Sequence, residues 1–322
     1  MRRLLLPLVP LYRVGLAMSA RRTKNPRQLG WPVVSIGNLS TGGSGKTPLT
    51  IALAQALARR NVKVDVLSRG YGRRSSLPLL VASDGSAEDF GDEPLLIARE
   101  TGVPVYVAAE RYDAGMLAES ASGGAVGVHL LDDGFQHRQL ARAVDIVLVS
   151  GNDLRDRLLP AGNLREPWSA LQRASVVAVS TDQPEVESAL KSRGWTGPVW
   201  RLRRVMDVPR IDGPVVAFCG IARPEQFFAG LELAGLHLAS RVAFRDHHRY
   251  VQHDLDCLKD AAQSVNATAA ITTEKDMVRL GGLADALRGS INLYTAKLRV
   301  EIENEAVAAD WLVPRIEDRA AK

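Results

Sequence analysis

Cysteine is scarce in this chain: its 322 residues contain only Cys219 and Cys257. Two thiols cannot form a disulfide framework, and their separation does not match the spacing of zinc ligands. With 46% hydrophobic and 24% charged residues, the composition is that of a soluble globular protein rather than a disordered or fibrous one. We therefore expect both cysteines to be buried, reduced thiols in a cytosolic protein.

Acidic residues are absent before Asp65, although eleven lysines and arginines precede it. The rest of the chain carries 30 basic against 36 acidic residues, so the formal net charge of +5 comes from the N-terminal end. A basic end of this kind is typical of proteins that contact an anionic surface, either nucleic acid or phospholipid.

Long apolar runs are absent as well. The first segment, MRRLLLPLVPLYRVGLAMSARR, has 17 residues between Arg3 and Arg21, and two prolines and an arginine interrupt them. A spanning helix needs roughly 20 apolar residues, and a signal peptide would end in a cleavage site rather than in more arginines. We expect residues 1–28 to lie in the interface of an anionic membrane. A helix packed on the protein is the alternative, and the leucines argue against a nucleic-acid partner.

Short apolar runs alternate with amphipathic stretches along the rest of the chain, which predicts a parallel α/β architecture. Strands are expected at 32–36, 62–67, 79–81, 103–107, 127–131, 145–149, 176–179, 200–205, 214–220 and 269–272, and helices at 49–60, 93–100, 224–234 and 254–265. The composition changes near residue 200. We therefore expect a parallel-sheet domain at 29–200 and a second, smaller α/β domain at 201–322.

A glycine-rich turn, NLSTGGSGKTP, lies between the first predicted strand and the first predicted helix. Its end matches the phosphate-binding pattern G-x-x-x-x-G-K-S/T, although Ser40 stands at the first glycine. Backbone N–H groups and the helix N-terminus face phosphates in this position, so the domain is predicted to be P-loop NTPase-like rather than to carry an empty flexible turn. Lys46 would reach the terminal phosphates and Thr47 would ligate Mg²⁺. The residues predicted to bind the nucleotide are Thr41, Gly42, Gly43, Ser44, Gly45, Lys46, Thr47 and Pro48.

A phosphate loop normally has a partner carboxylate at the end of a neighbouring strand, where it helps to hold Mg²⁺. The apolar run 127–131 ends in Asp132 and Asp133, which places both acids at the carboxyl edge of the predicted sheet. Two carboxylates there need a cation to offset their repulsion and desolvation. An ordinary Asp-Asp-Gly turn is the alternative.

Taken together, these motifs resemble the tetraacyldisaccharide 4'-kinase family of lipid A biosynthesis, which also has a polar residue at the position of Ser40. The resemblance runs from Ser35 to Leu280 through the stretches SIGNLSTGGSGKTP, SRGYGR, GDEP, RYDAG, LLDDGFQH, LLPAGNLREP, FCGIARPEQF, FRDHHRY and TTEKDMVRL. It implies transfer of the ATP γ-phosphate to the 4'-hydroxyl of a lipid disaccharide 1-phosphate, giving lipid IVA. It also implies a location at the cytoplasmic face of the bacterial inner membrane.

The same resemblance assigns roles to individual residues. It implies that Asp92 of GDEP is the catalytic base and that a histidine of the DHH stretch, for which we favour His247, orients it or tunes its pKa. The sequence leaves open which of His247 and His248 faces Asp92. The resemblance places Asp132, Asp133 and Gln136 around Mg²⁺ together with Thr47. The arginines expected to contact phosphate or substrate are Arg69, Arg73, Arg111 and Arg165. Without the resemblance, Asp92 followed by Glu-Pro is typical of a helix start.

Two other classes of protein fit part of this pattern. One is a P-loop GTPase or ATPase switch, although a guanine-reading Asn-Lys-x-Asp is absent. The other is an adaptor that binds nucleotide at a membrane surface without catalysis. The sequence leaves the oligomeric state and the acyl-chain selectivity open.

Overall fold

The computed structural model describes residues 2–22, 25–42 and 45–320. The strands are β1 (Val33–Asn38), β2 (Val64–Ser68), β3 (Leu79–Leu80), β4 (Val105–Val107), β5 (Val128–Asp132), β6 (Val144–Val149), β7 (Val176–Ser180), β8 (Val199–Asp207), β9 (Pro214–Cys219), β10 (His237–Ala243), β11 (Ala269–Thr273) and β12 (Asn292–Ile302). The α-helices are α1 (Val9–Arg22), α2 (Lys46–Arg59), α3 (Ala87–Phe90), α4 (Asp92–Thr101), α5 (Arg111–Ala121), α6 (Pro184–Ser192), α7 (Pro224–Leu233), α8 (Gln252–Ser264), α9 (Glu274–Leu280), α10 (Leu283–Arg288) and α11 (Glu305–Ala320). Short 3-10 helices cover Arg2–Leu8, Gly151–Leu154 and Trp168–Arg173.

Within these residues, twelve strands form one sheet in the order β10-β9-β11-β12-β8-β7-β6-β1-β5-β2-β4-β3. Neighbouring strands run parallel except for β3 with β4 and β12 with β8. The central strands β1, β2 and β5 are buried along their whole length, as parallel strands covered by helices on both faces must be. The predicted α/β class is confirmed, and all ten predicted strands are present. Cys219 at the end of β9 is buried as expected, but the expectation is wrong for Cys257, which lies on the exposed side of α8.

One strand belongs to two different ladders. Residues 292–296 of β12 pair in parallel with β11, whereas residues 297–302 pair in antiparallel fashion with β8. The predicted domain boundary at residue 200 falls inside β8, which itself pairs with β7. The sheet therefore passes from the N-terminal strands to the C-terminal strands without a break, and the division into two domains stays a prediction.

The N-terminal helix α1 contacts the protein along one side only. Val9 and Tyr12 pack against a core cluster, and the Tyr12 hydroxyl donates to the carbonyl of Arg165 at 3.0 Å. The opposite side is apolar and exposed, with Leu11 at 70% exposure, and Leu4 of the preceding 3-10 helix is 83% exposed. Among the described residues, no helix has the length and hydropathy needed to cross a membrane.

A buried ion cluster lies at the amino ends of β2 and β5, away from the phosphate loop. His129 Nδ1 lies 2.6 Å from Asp65 Oδ1, and its Nε2 lies 3.2 Å from Glu119 Oε1. The Trp31 ring stacks on the imidazole. Burial opposes the charged imidazole, but the hydrogen bonds and charges of the two carboxylates outweigh it and raise the pKa of His129. The imidazolium thus joins β2, β5 and α5.

Replacing His129 by glutamine is expected to lower the free energy of unfolding by about 3–5 kcal/mol near pH 6, because two carboxylates lose their cation. The imidazolium contribution is fully present below the ordinary histidine pKa of about 6.5 and is lost as pH rises through the raised folded-state pKa. Urea unfolding at about pH 6 and about pH 9 should therefore show the larger difference at the lower pH. The exposed His253→Gln on α8 serves as the control. An equal loss at both pH values would contradict this assignment.

Candidate active site

The carboxyl ends of β1, β5, β2 and β4 meet at one edge of the sheet, because these strands are parallel neighbours. The phosphate loop follows β1, Asp132 ends β5, and Arg111 opens the helix after β4. Ligands of open parallel sheets bind at this edge. Segments that are far apart in the sequence therefore supply side chains to a single site.

The phosphate loop joins β1 to α2 and is shaped by glycines. Gly45 caps the helix with a φ of 92°, and Gly42 has a φ of 96°. Glycine adopts such left-handed values at little cost. Pro48 lies in the first turn of α2, where helices tolerate proline, and Thr47 beside it is buried. The predicted nucleotide-binding residues Gly43 and Ser44 lie outside the described residues.

Ser40 does not need to be glycine in this loop. It is absent from the described non-glycine residues with positive φ, and it forms a β-bridge with Leu164. The N–H of Thr41 donates to the carbonyl of Asn163 at 2.8 Å. The chain at Ser40 thus remains extended and paired with the LLPAGNLREP segment, so any residue of suitable size can stand there.

Lys46 belongs to a charged network at the start of α2. Its Nζ donates to Asn38 Oδ1 at 3.2 Å and lies 3.5 Å from Asp133 Oδ1. Arg165 donates to both oxygens of Asp133, at 2.7 and 3.1 Å, and also to Asn38 Oδ1. Burial alone would raise the pKa of Asp133, but the two cations hold it well below its usual range. The structure thus brings Lys46 and Arg165, both singled out in the sequence, into contact with Asp133.

Asp132 differs from Asp133 because none of the described lysines, arginines or histidines forms an ion pair with it. Thr50 donates its hydroxyl to Asp132 Oδ1 at 3.1 Å. Burial, followed by the nearby charges of Glu93 and Asp133, raises the pKa of Asp132 to about 7. A buried carboxylate in this state is suited to a bound cation.

The side-chain oxygen of Gln136 is also suited to a bound cation. Gln136 donates its Nε2 to the carbonyl of Asn38 at 2.9 Å, while its buried Oε1 lacks a hydrogen-bond partner among the described residues. The described residues contain no cluster of three or more His, Cys, Asp or Glu suited to a metal. Mg²⁺ usually takes only one or two carboxylates and completes its shell with water and phosphate. Asp132, Gln136 and the Thr47 hydroxyl are thus chemically suitable ligands, whereas Asp133 is already paired with cations.

Asp92 and His247 form a pair beside this site. Asp92 is the first residue of α4, and its Oδ2 lies 3.2 Å from His247 Nδ1. Burial alone would raise the pKa of Asp92, but the hydrogen bond with His247 and the charges of Arg279 and Lys275 hold it well below its usual range. The hydrogen bond with Asp92 in turn raises the pKa of His247. Glu93 raises the pKa of Asp132, so the start of α4 lies close to the end of β5.

The structure distinguishes the two adjacent histidines. His248 Nε2 lies 2.9 Å from Asp254 Oδ2, which accepts a hydrogen bond from it, and the His248 ring stacks on Phe244. His247 has a φ of 56°, a left-handed value that few non-glycine residues adopt. The turn therefore aims His247 at Asp92 and His248 into the neighbouring core.

Three of the predicted arginines, Arg69, Arg73 and Arg111, follow strands β2 and β4 at the same edge of the sheet. Arg111 is buried and donates to the carbonyl of Ala109 at 3.0 Å. Burial and then the charge of Arg69 lower the pKa of Arg111, while Asp133 and Asp132 oppose this. Both Nη atoms of Arg73 are buried without a hydrogen-bond partner among the described residues. The guanidinium of Arg111 thus lies near Arg69 and the two aspartates.

Arg279 is the main residue that sequence reasoning missed. Its Nε donates to Asp92 Oδ2 at 2.8 Å, and its Nη2 donates to the same oxygen. Arg279 lies in the TTEKDMVRL stretch, so the motif was recognised, but nothing in its spacing indicated a contact across 187 positions. Arg204 of β8 was also missed. It lies beside the phosphate loop, because its Nη2 is 3.5 Å from the position that a side-chain Cβ would take on Gly45.

Comparison with known proteins gives a consistent result over the whole chain. The family model described as "Tetraacyldisaccharide-1-P 4'-kinase" matches residues 1–317. A tetraacyldisaccharide 4'-kinase of Koribacter versatilis is 42% identical over 97% of this chain and 99% of its own length. One from Rhodopseudomonas palustris (strain BisB5) is 37% identical, over 99% and 94%. A crystal structure described as an "apo" form of LpxK from Aquifex aeolicus in complex with ATP has a TM-score of 0.75 and 31% identity, covering 98% of this chain and 99% of that one.

Proposed function

Because the chain belongs to the tetraacyldisaccharide-1-P 4'-kinase family, we propose that it transfers the γ-phosphate of ATP to the 4'-hydroxyl of tetraacyldisaccharide 1-phosphate. The product is lipid IVA, an intermediate of lipid A biosynthesis. The observation that carries this proposal is the arrangement at the sheet edge. Lys46 opens the helix after the phosphate loop, and the Asp132 strand end lies close to the Asp92–His247 pair.

The phosphate loop and Lys46 would bind the ATP phosphates. Lys46 is held by Asn38 and Asp133, so its ammonium group is already positioned before the nucleotide arrives. In phosphoryl transfer most of the catalysis comes from such positioning and from charge stabilisation. Asp132, Gln136 and Thr47 would hold Mg²⁺, which when bound adds positive charge at the phosphate oxygens. Arg165 and Arg111 lie close enough to the aspartates to stabilise the negative charge of the transferring group.

Asp92 would accept the proton of the 4'-hydroxyl. Its low pKa keeps it ionised throughout the physiological range. A weak base is sufficient here, because in a loose transition state the hydroxyl becomes acidic only late in the transfer. His247 would orient the carboxylate and share the acquired proton, since its ring nitrogen lies 3.2 Å from Asp92 Oδ2.

The test is a transfer assay with γ-labelled ATP, Mg²⁺ and a tetraacyldisaccharide 1-phosphate dispersed in detergent. Label is expected in the lipid fraction and to depend on both Mg²⁺ and the lipid. A switch protein would instead release labelled inorganic phosphate at the same rate with and without lipid, and a nucleotide-binding adaptor would leave the label in ATP.

A surface groove supports the lipid part of this proposal. The groove has a volume of about 400 Å³ and lies between α1 and the segment that follows Arg165. Arg13, Arg138 and Arg173 line it together with Leu16 and Ala17 of α1. A wall that combines arginines with apolar side chains suits an anionic lipid. We extend the proposal to a peripheral position on an anionic membrane, with the exposed apolar side of α1 in the interface.

Deleting residues 1–20 is expected to reduce binding to anionic phospholipid vesicles by at least about tenfold, because both the apolar side chains and three arginines are lost. Cosedimentation of the full chain and the truncated chain measures the change. A double substitution of the exposed leucines, Leu4→Asp with Leu11→Asp, should give a similar loss while leaving the contacts of Val9 and Tyr12 in place. Undiminished binding of both variants would place the membrane contact elsewhere.

A further inference from the structure

We propose that Arg279, on helix α9, is a positioning residue for Asp92 on α4. It holds the Asp92 carboxylate in one orientation and in its charged form. The proposal rests on the function proposed above, in which Asp92 accepts the substrate proton. Arg279 contacts Asp92 and His247 and would act through them rather than on the phosphate or the substrate hydroxyl.

The contact between the two side chains is direct and shielded from water. Arg279 donates to Asp92 Oδ2 through Nε at 2.8 Å and also through Nη2. Each side chain is only 6% exposed. The other oxygen, Asp92 Oδ1, accepts the backbone N–H of Glu93 at 3.0 Å. Charge-assisted bonds of this kind, with one oxygen held by the guanidinium and the other by the helix backbone, leave the carboxylate little rotational freedom.

Arg279 is itself fixed by its surroundings. Its Nη1 donates to the carbonyl of Gly220 at 2.5 Å and to Asp276 Oδ1 at 3.0 Å. Asp276 is completely buried and accepts hydrogen bonds from the hydroxyls of Thr273 and Tyr250. The guanidinium is therefore anchored on β9 and α9 before it reaches across to α4. This chain of contacts explains why a buried arginine is placed here rather than at the surface.

The charges around Asp92 and His247 come from three segments. His247 and Asp246 belong to the turn after β10, Arg279 and Lys275 lie on α9, and Glu93 follows Asp92 on α4. Lys275 is 2.5 Å from Glu93, which already compensates its charge. Arg279 Nη2 also lies 3.4 Å from His247 Nδ1. Removing the guanidinium should therefore raise the pKa of Asp92 and of His247 together, because one cation favours the carboxylate and disfavours the imidazolium.

The experiment uses the full chain with Arg279→Gln and Arg279→Lys. Histidine Cε1–H resonances of the nucleotide-free proteins are followed against pH by NMR, and His247→Gln assigns the signal. Arg279→Gln is expected to raise the His247 pKa by at least about half a unit. It should also lower kcat by about 10- to 100-fold and move the acidic limb of the kcat/KM profile to higher pH, with KM for ATP within about twofold. Arg279→Lys keeps the charge and should restore part of each effect.

The matched control is Arg288→Gln, which removes an exposed arginine paired with Asp285 on α10. It should leave both the titration and the kinetics unchanged. An unshifted His247 titration in Arg279→Gln, with a pH profile that superimposes on that of the wild type, would assign Arg279 a purely structural role. If Arg279→Gln does not fold, Arg279→Lys decides through kcat, because lysine keeps the charge but cannot reproduce the two-donor contact of the guanidinium with Asp92. An unchanged kcat in Arg279→Lys would then contradict the proposal. The titration needs no lipid, so its outcome is separate from any failure of Asp92 to act as the base.

Discussion

Replacing Lys46 by alanine is expected to reduce lipid phosphorylation by about three orders of magnitude. The ammonium group at the start of α2 supplies charge where the transferring phosphate becomes most negative, and removal of comparable groups in phosphoryl-transfer enzymes has effects of this size. Lys46 is only 13% exposed and is held by Asn38 and Asp133. A water molecule in its place would neither carry the charge nor keep the position.

The assay of γ-labelled ATP transfer to the lipid measures this loss. Circular dichroism and thermal unfolding should show an intact fold, because Asp133 keeps its bonds to Arg165 when Lys46 is removed. Lys191→Ala, which removes an exposed lysine paired with Glu187 on α6, is the control for loss of one positive charge. Retention of more than about a tenth of wild-type transfer by Lys46→Ala would exclude the phosphate-binding role.

Replacing Asp92 by asparagine is expected to lower kcat by about 100- to 10,000-fold, the range found when a positioned general base is lost. Asparagine preserves the size of the side chain and can still accept the hydrogen bond from Glu93. It can no longer take up a proton or attract His247. Affinity for ATP should stay within about twofold, because Asp92 lies on α4 and not in the phosphate loop.

Steady-state kinetics with separate titrations of ATP and lipid distinguish the two effects. Asp285→Asn provides the matched control, since it alters the exposed partner of Arg288 and leaves the sheet edge untouched. A variant that loses ATP binding as severely as kcat would indicate that Asp92 supports the nucleotide rather than the proton transfer. Unchanged kcat would remove Asp92 from the mechanism.

The sequence was sufficient to predict that the phosphate loop and the two aspartates lie at one edge of the sheet. A buried strand, a glycine-rich turn and a helix occur in immediate succession, so local geometry alone brings Lys46 to the edge of the sheet. Asp132 and Asp133 could be placed because they end a strand that had to run parallel to β1. Arg165 was named from the resemblance, and its contact with Asp133 joins residues 32 positions apart.

The part of the site around Asp92, His247 and Arg279 depends on strand pairing that no local sequence pattern encodes. Neither β10 nor β12 was predicted, because both mix polar and apolar residues along partly exposed strands. Helix α9 directly follows the predicted strand β11, but its place beside α4, and with it the approach of Arg279 to Asp92, depends on β12, which joins the C-terminal strands to β8. The choice between His247 and His248 also required the structure. Both residues are histidines in one turn, and only the backbone angle of His247 directs its ring to Asp92.

The strand β12 has a consequence for how this chain is made. Its second half pairs with β8, and Val300 and Ile302 lie in the same core cluster as Val34, Ile36 and Leu53 near the start of the chain. The helix that follows β12 adds further residues to that cluster, up to Ile316. While the ribosome is still translating residues 201–300, the nascent chain has the nucleotide loop but an incomplete hydrophobic core with an unpaired sheet edge. The core that surrounds β1 can therefore be completed only after the residues up to Ile316 have been translated.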